Sequence, residues 1–259
     1  MRRVVVAIRF PRLRWAQLFV AALVISAFTV PPASAAAPNY TWVELESNGV
    51  FEGVDGYIRA STTTPITSPS HRLDWVSLCT DGCADWVQVG EGQGYVHGGG
   101  YTFYSPNTEH MYYENNGICN YFNLDLGAPP SANYPYYIAY DGTRFVDACG
   151  HTEYEFMVKV GSWSSAPVAY GSTTSYAGQP YAAEELEWAS GGTQPPSNTD
   201  FFGTDDAHNA SGSKALHLTN DPSGAWYAWT TALDPTAFMH VDSNMSYTNK
   251  ATWWAFGAS

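Results

Sequence analysis

The chain has 259 residues, with 24 acidic against 11 basic side chains, a formal net charge of −13 and 15% aromatic residues. Five of the basic residues (Arg2, Arg3, Arg9, Arg12 and Arg14) fall in the first 35 positions and no acid does, so the remainder carries 24 acids against six bases, a net charge of −18. A surface of that sign repels phosphate backbones and anionic lipid, which argues against nucleic acid and membrane as partners.

The opening "MRRVVVAIRFPRLR" is basic, "WAQLFVAALVISAFTV" is apolar, and Ala33-Ser34-Ala35 is a small-x-small cleavage pattern. These features predict a secretory signal peptide over residues 1–35 and a secreted, extracellular protein. Residues 36–259 are long enough for one β domain with a substantial core.

Strand signals then follow at close spacing, separated by Gly, Pro, Asn and Asp. Strands are expected at 40–45 (YTWVEL), 56–62, 73–79 (LDWVSLC), 84–90 (ADWVQVG), 101–105 (YTFYS), 109–115 (EHMYYEN) and 118–126. Further strands are expected at 134–141, 143–149, 153–160, 166–172, 182–189 (AAEELEWA), 215–219, 225–231, 237–241 and 251–256. Of these, 182–189 has a helical composition but is short and sits among strands. The stretches "HGGG" (97–100) and "SGGTQPPSNTD" (190–200) read as a hairpin tip and a loop. So many antiparallel strands in one domain predict an all-β, two-sheet jelly roll of the concanavalin-like sandwich type.

The four cysteines suggest two disulfides. Cys79 and Cys83 bracket the turn sequence "TDG", which leaves Cys119 and Cys149 to pair, although the sequence itself permits three connectivities. No histidine stands at ligand spacing from these cysteines, and the seven histidines are scattered, so neither a metal nor a cofactor is expected.

Two stretches carry candidate chemistry. In "DWVQVGEGQG" (85–94), alternation sends Val87 and Val89 to one face and Trp86 and Gln88 to the other, and a Gly90, Gly92, Gly94 run follows. In "AAEELEW" (182–188), Leu186 and Trp188 make a core face, which turns Glu185 and Glu187 to the open side. Aromatic residues exceed what one core of this size needs. Trp86, Tyr101, Phe103, Tyr112, Tyr113 and Trp188 are candidates to line a groove.

The segment "WVSLC…ADWVQVGEG…YTFYSPNTEHMYYEN", with "AAEELEW" and "NTDFFGT" further on, resembles the glutamic peptidase (eqolisin) family. That resemblance implies a jelly-roll fold and a Gln/Glu pair, here Gln88 and Glu185, with Glu184, Glu187 and Glu114 as rivals for the acid. It also implies that Trp86, Tyr101, Phe103 and Tyr112 contact a polypeptide substrate. "GICNYFNLDL" is similar, more distantly, to a stretch of the neprosin-type glutamic peptidases, which use two glutamates and would bring in Glu114 or Glu109.

Three functions therefore stand as expectations. The first is a secreted acid endopeptidase acting through Gln88 and Glu185. The second is a non-catalytic module holding extracellular glycan or peptide in an aromatic groove. The third is a glycosidase using Glu185 with Glu114. A monomer is expected in each case.

Overall fold

Valine and leucine alternating with polar residues generate the core. In "TWVELE", Val43 and Leu45 are fully buried, while Trp42, Glu44 and Glu46 lie on the opposite face. The computed structural model describes residues 39–257, apart from 61–64, 99–100, 118–120, 130–133, 162, 191, 196–197, 202–215, 224, 230–232, 242–244 and 247–252. The predicted signal peptide lies outside the described residues.

In chain order the strands are β1 (Asn39–Glu46), β2 (Gly53–Ala60), β3 (His71–Thr80), β4 (Asp85–Gly98), β5 (Tyr101–Asn116), β6 (Tyr121–Gly127), β7 (Tyr134–Val146) and β8 (Thr152–Val160). They continue as β9 (Ala169–Thr173), β10 (Gln179–Trp188), β11 (Asn198–Phe201), β12 (His217–Thr219), β13 (Tyr227–Ala228), β14 (Phe238–Val241), β15 (Met245–Ser246) and β16 (Trp253–Gly257). A short 3-10 turn at Asp81–Cys83 is the only helical segment among the described residues.

All pairings are antiparallel, and they form two sheets. One has the order β14-β1-β10-β3-β4-β5-β6, and the other β15-β16-β11-β2-β7-β8-β9, with β12 and β13 attached through β2. Between them lie Val43, Leu45, Val76, Leu78, Val87, Val89, Ala182 and Leu186 of the first sheet and Val54, Ile58, Tyr136, Ile138, Phe156 and Val158 of the second. Each large apolar side chain buried here contributes roughly 1.5–3 kcal/mol. The architecture is the predicted all-β sandwich of jelly-roll type. The "AAEELEWA" stretch is strand, because Leu186 must reach the core across a sheet surface.

Several expected boundaries differ. The segments 101–105 and 109–115 are one strand, β5, and the expected strands 134–141 and 143–149 are joined as β7, which ends at Val146 and carries a register shift between Tyr140 and Arg144. The end of the expected 190–200 loop is strand: Asn198–Asp200 begins β11 and pairs with β16. The glycines after Gln88 are not a flexible run, because β4 passes through all of them. A Cβ on Gly90 would stand 1.9 Å from the Asp74 carbonyl oxygen, so only glycine permits β3 and β4 to approach so closely there. Gly94 has φ +96°, and the register shifts beside it.

The disulfide Cys79–Cys83 is present and closes the 3-10 turn. Cys149 is disulfide-bonded. Its expected partner Cys119 lies outside the described residues.

Candidate active site

The first sheet turns one face to the core and leaves the other open. Strand β3 runs between β10 and β4, and its alternation puts Leu73, Trp75, Ser77 and Cys79 on the open face. Gln88 on β4 stands opposite Ser77, and Glu185 on β10 stands opposite Leu73. The two therefore flank β3 with a stagger of four residues, roughly 13 Å along the strand, and Trp75 lies midway.

Each side chain is held by its own partners on either side of this interval. The Glu185 Oε2 accepts from Trp75 Nε1 at 3.4 Å and from the Tyr40 hydroxyl at 2.6 Å. On the other side, Gln88 Nε2 donates to the Tyr112 hydroxyl oxygen at 2.6 Å. Tyr112 stands opposite Gly90, which itself stands opposite Trp75. No hydrogen bond joins Gln88 to Glu185. They are both walls of one open cleft of about 440 Å³, together with Glu44, Glu46, Trp75, Ser77, Trp86 and Tyr181.

The hydrogen bonds define what each group can do. Tyr40 is 45% exposed, but loss of water around its hydroxyl and then the nearby Glu185 charge push the phenol up, so Tyr40 keeps its proton and remains a donor to Glu185. Tyr112 is fully buried and is likewise held neutral, by burial first and then by Glu185 and Glu114. It occupies one of the two N–H donors of the Gln88 amide and fixes the orientation of that side chain, leaving the second N–H unused by Tyr112. At the far end of the cleft Glu44 is pushed up to about 7, by burial first and then by Glu46, with which it shares a hydrogen bond. In acid Glu44 is therefore protonated and adds no charge to the cleft.

The rivals to Glu185 are separated by strand parity. Glu184 is fully buried on the inner face, where it interacts with Arg72. It belongs to an interior charged cluster. Arg72, also fully buried, donates through Nε to Asp74 at 3.1 Å and through Nη2 to Gln93 at 3.2 Å and to Glu109. Glu91 in the same cluster accepts from the Tyr136 hydroxyl at 2.6 Å. Glu187 is on the open face, one step beyond Glu185, and lies 4.0 Å from His71 Nε2. Glu114 is directly opposite Gln88 on β5, on the side away from Glu185.

The expected substrate contacts divide. Trp86 lines the cleft. Tyr112 does not form a wall, because it is buried as the prop beneath Gln88. Tyr101 and Phe103 pair with Gly98 and Val96 at the far end of the β4–β5 hairpin, roughly 25–35 Å along the strand from Gln88, and their side chains lie outside the described residues. Tyr113 points into the core, and Trp188 packs at its margin. Sequence reasoning missed Tyr40, His71, Trp75, Glu44 and Glu46. Alternation in "YTWVELE" assigns Tyr40, Glu44 and Glu46 to one face, but nothing local says that β1 lies beside β10.

No protein-family model and no curated protein sequence matches the chain. Among solved structures it is similar to SCP-B, described as a member of the Eqolisin family of peptidases in a complex with the tripeptide Ala-Ile-His. The identity is 10%, the TM-score 0.44, and the match covers 86% of this chain and 100% of that one. At that identity and score nothing is carried across from it to this chain.

Proposed function

We propose that the protein is a secreted acid endopeptidase of the glutamic type, with Glu185 as general base and then general acid and Gln88 as the oxyanion donor. The observation that supports this reading most is the shared cleft. A carboxylate oriented by Tyr40 and Trp75 and an amide oriented by Tyr112 line the same open, aromatic-walled groove.

In this reading an extended peptide lies across β3 with its scissile carbonyl over Trp75. Glu185 removes a proton from water, the hydroxide attacks the carbonyl carbon, and the developing oxyanion accepts from the free N–H of Gln88. Glu185 then passes the same proton to the leaving amine as the C–N bond breaks. Proton and electrons balance with water as the only co-reactant. Acid operation suits the cleft, because Glu44, pushed up to about 7, carries no charge there in acid.

The test is digestion of an unfolded protein by the purified chain across pH 2–7. Cleavage is expected at about pH 2–4, insensitive to pepstatin, chelators and serine-directed reagents. A second reading has its own support: the stagger between Gln88 and Glu185 and the Trp75, Trp86 and Tyr181 walls also suit a groove that stacks sugar rings. No cleavage anywhere in that pH range, with binding on a glycan array, selects the non-catalytic module.

A further inference from the structure

His71 begins β3 on the open face, opposite Glu187 of β10 and Gly94 of β4. It is 5% exposed, and neither ring nitrogen has a hydrogen-bond partner. A buried polar group left so calls for an explanation. Its Nε2 lies 3.8 Å from Glu185 Oε1 and 4.0 Å from Glu187 Oε2. Tyr40 and Trp75 both donate to the other Glu185 oxygen, Oε2. The oxygen facing His71 is therefore the one those donors leave open.

The surroundings offer an imidazole no other answer among the described residues. From β4 it meets glycine: a Cβ on Gly94 would stand 2.9 Å from His71 Cα, and φ is +96° there. Arg72 and Asp74 belong to the opposite, inner face of β3, and Tyr40 of β1 reaches this region through Glu185. A neutral ring here is unpartnered, whereas a protonated ring faces two carboxylates, Glu185 and Glu187.

We propose that His71 is a positioning residue which, as an imidazolium, keeps Glu185 in its carboxylate form in acid. This rests on the peptidase reading. A base that must deprotonate water in acid is useful only while ionised, and an adjacent cation favours that form. The Tyr40 and Trp75 donors orient the carboxylate, and His71 supplies the charge.

Two measurements on the full chain test this separately. The first is the NMR titration of the His71 ring, which does not depend on activity. Glu185→Gln should lower the His71 midpoint by about one pH unit, since the ring loses its nearest carboxylate. An unchanged midpoint overturns the pairing. The second is the pH profile of kcat/KM, in which His71→Gln should move the acid limb upward by about one pH unit and His71→Lys should move it back. A limb that stays in place in His71→Gln overturns the positioning role. If His71→Gln does not fold, the titration in Glu185→Gln still decides the pairing. A wild-type chain with no cleavage removes the peptidase reading and the role together, while the titration still reports whether the pair exists.

Discussion

Glu184 and Glu185 are consecutive residues of β10 that meet opposite surroundings. Glu184 faces inward, fully buried, and shares Arg72 with Asp74 and Glu109. Glu185 faces outward across the cleft, with Tyr40 and Trp75 on one oxygen and His71 near the other. The same strands thus carry acids on both faces, but the inner ones are held around a cation and the outer one is held at a space that substrate can enter. Burial alone would push Arg72 down, yet Asp74, Glu109 and Glu184 carry it up, so it stays a fixed positive charge. The inner carboxylates are shut away from substrate, whereas Glu185 borders the open cleft.

The largest expected effect separates the two glutamates directly. Glu185→Gln should cut kcat/KM roughly 10²–10⁴-fold with the fold intact, because an amide cannot take the proton from water. Glu184→Gln should change stability and leave turnover in place. Equal losses of activity in steady-state assays of the two variants would break the contrast.

The interior side is probed by Arg72→Met. Removing the cation leaves Asp74, Glu109 and Glu184 buried together, and breaking a buried pair in this way costs about 3–5 kcal/mol. Urea unfolding at pH 7 measures it, and a loss under about 1 kcal/mol would mean that the cluster is not held by charge.

Gln88→Ala sharpens the outer side. Loss of one oxyanion donor should slow cleavage about 10²–10³-fold. Tyr112→Phe, which removes only the acceptor that orients Gln88, should cost less, about tenfold. If the two variants are equally impaired, the amide acts chiefly through the phenol beneath it.

The smallest effect is a slope. Glu91 is pushed well up by burial first and then by Glu109, and Glu44 is pushed up to about 7 by burial first and then by Glu46. A carboxyl whose folded value is raised contributes stability that is complete below its unfolded value, about 4.3, and is lost as pH rises through the folded value. Thermal unfolding followed by circular dichroism should therefore give a higher Tm at pH 4 than at pH 8. Glu44→Gln should flatten the part of that slope between about 4.3 and 7. A Tm that rises steadily from pH 4 to pH 8 would contradict both assignments.

Much of this was legible in the chain. Alternation in "YTWVELE", "DWVQVGEGQG" and "AAEELEW" determined which side chains share a face, because successive residues of a strand point to opposite sides whatever the strand pairs with. Parity therefore put Val87, Val89 and Leu186 in the core, Gln88 and Glu185 on the other, cleft-bearing face of the sheet, and Glu184 on the opposite side from Glu185. The "TDG" turn located the Cys79–Cys83 bridge, because that loop closes locally. The glycines after Gln88 misled, since glycine marks a turn or a close approach with the same letter, and only the distance to Asp74 distinguishes them.

What the sequence left open is the order of strands. That β3 lies between β10 and β4, and β1 beyond β10, is fixed by which apolar faces pack against the second sheet, a contest among pairings far apart in the chain. Tyr40 reaches Glu185 across 145 residues and Trp75 reaches it across 110, so no local pattern could join them. Charged side chains such as Arg72, Asp74 and Glu184 ordinarily stay at the surface. They are interior because closing the sandwich places opposite charges together where water is absent, and only the assembled sheets decide that.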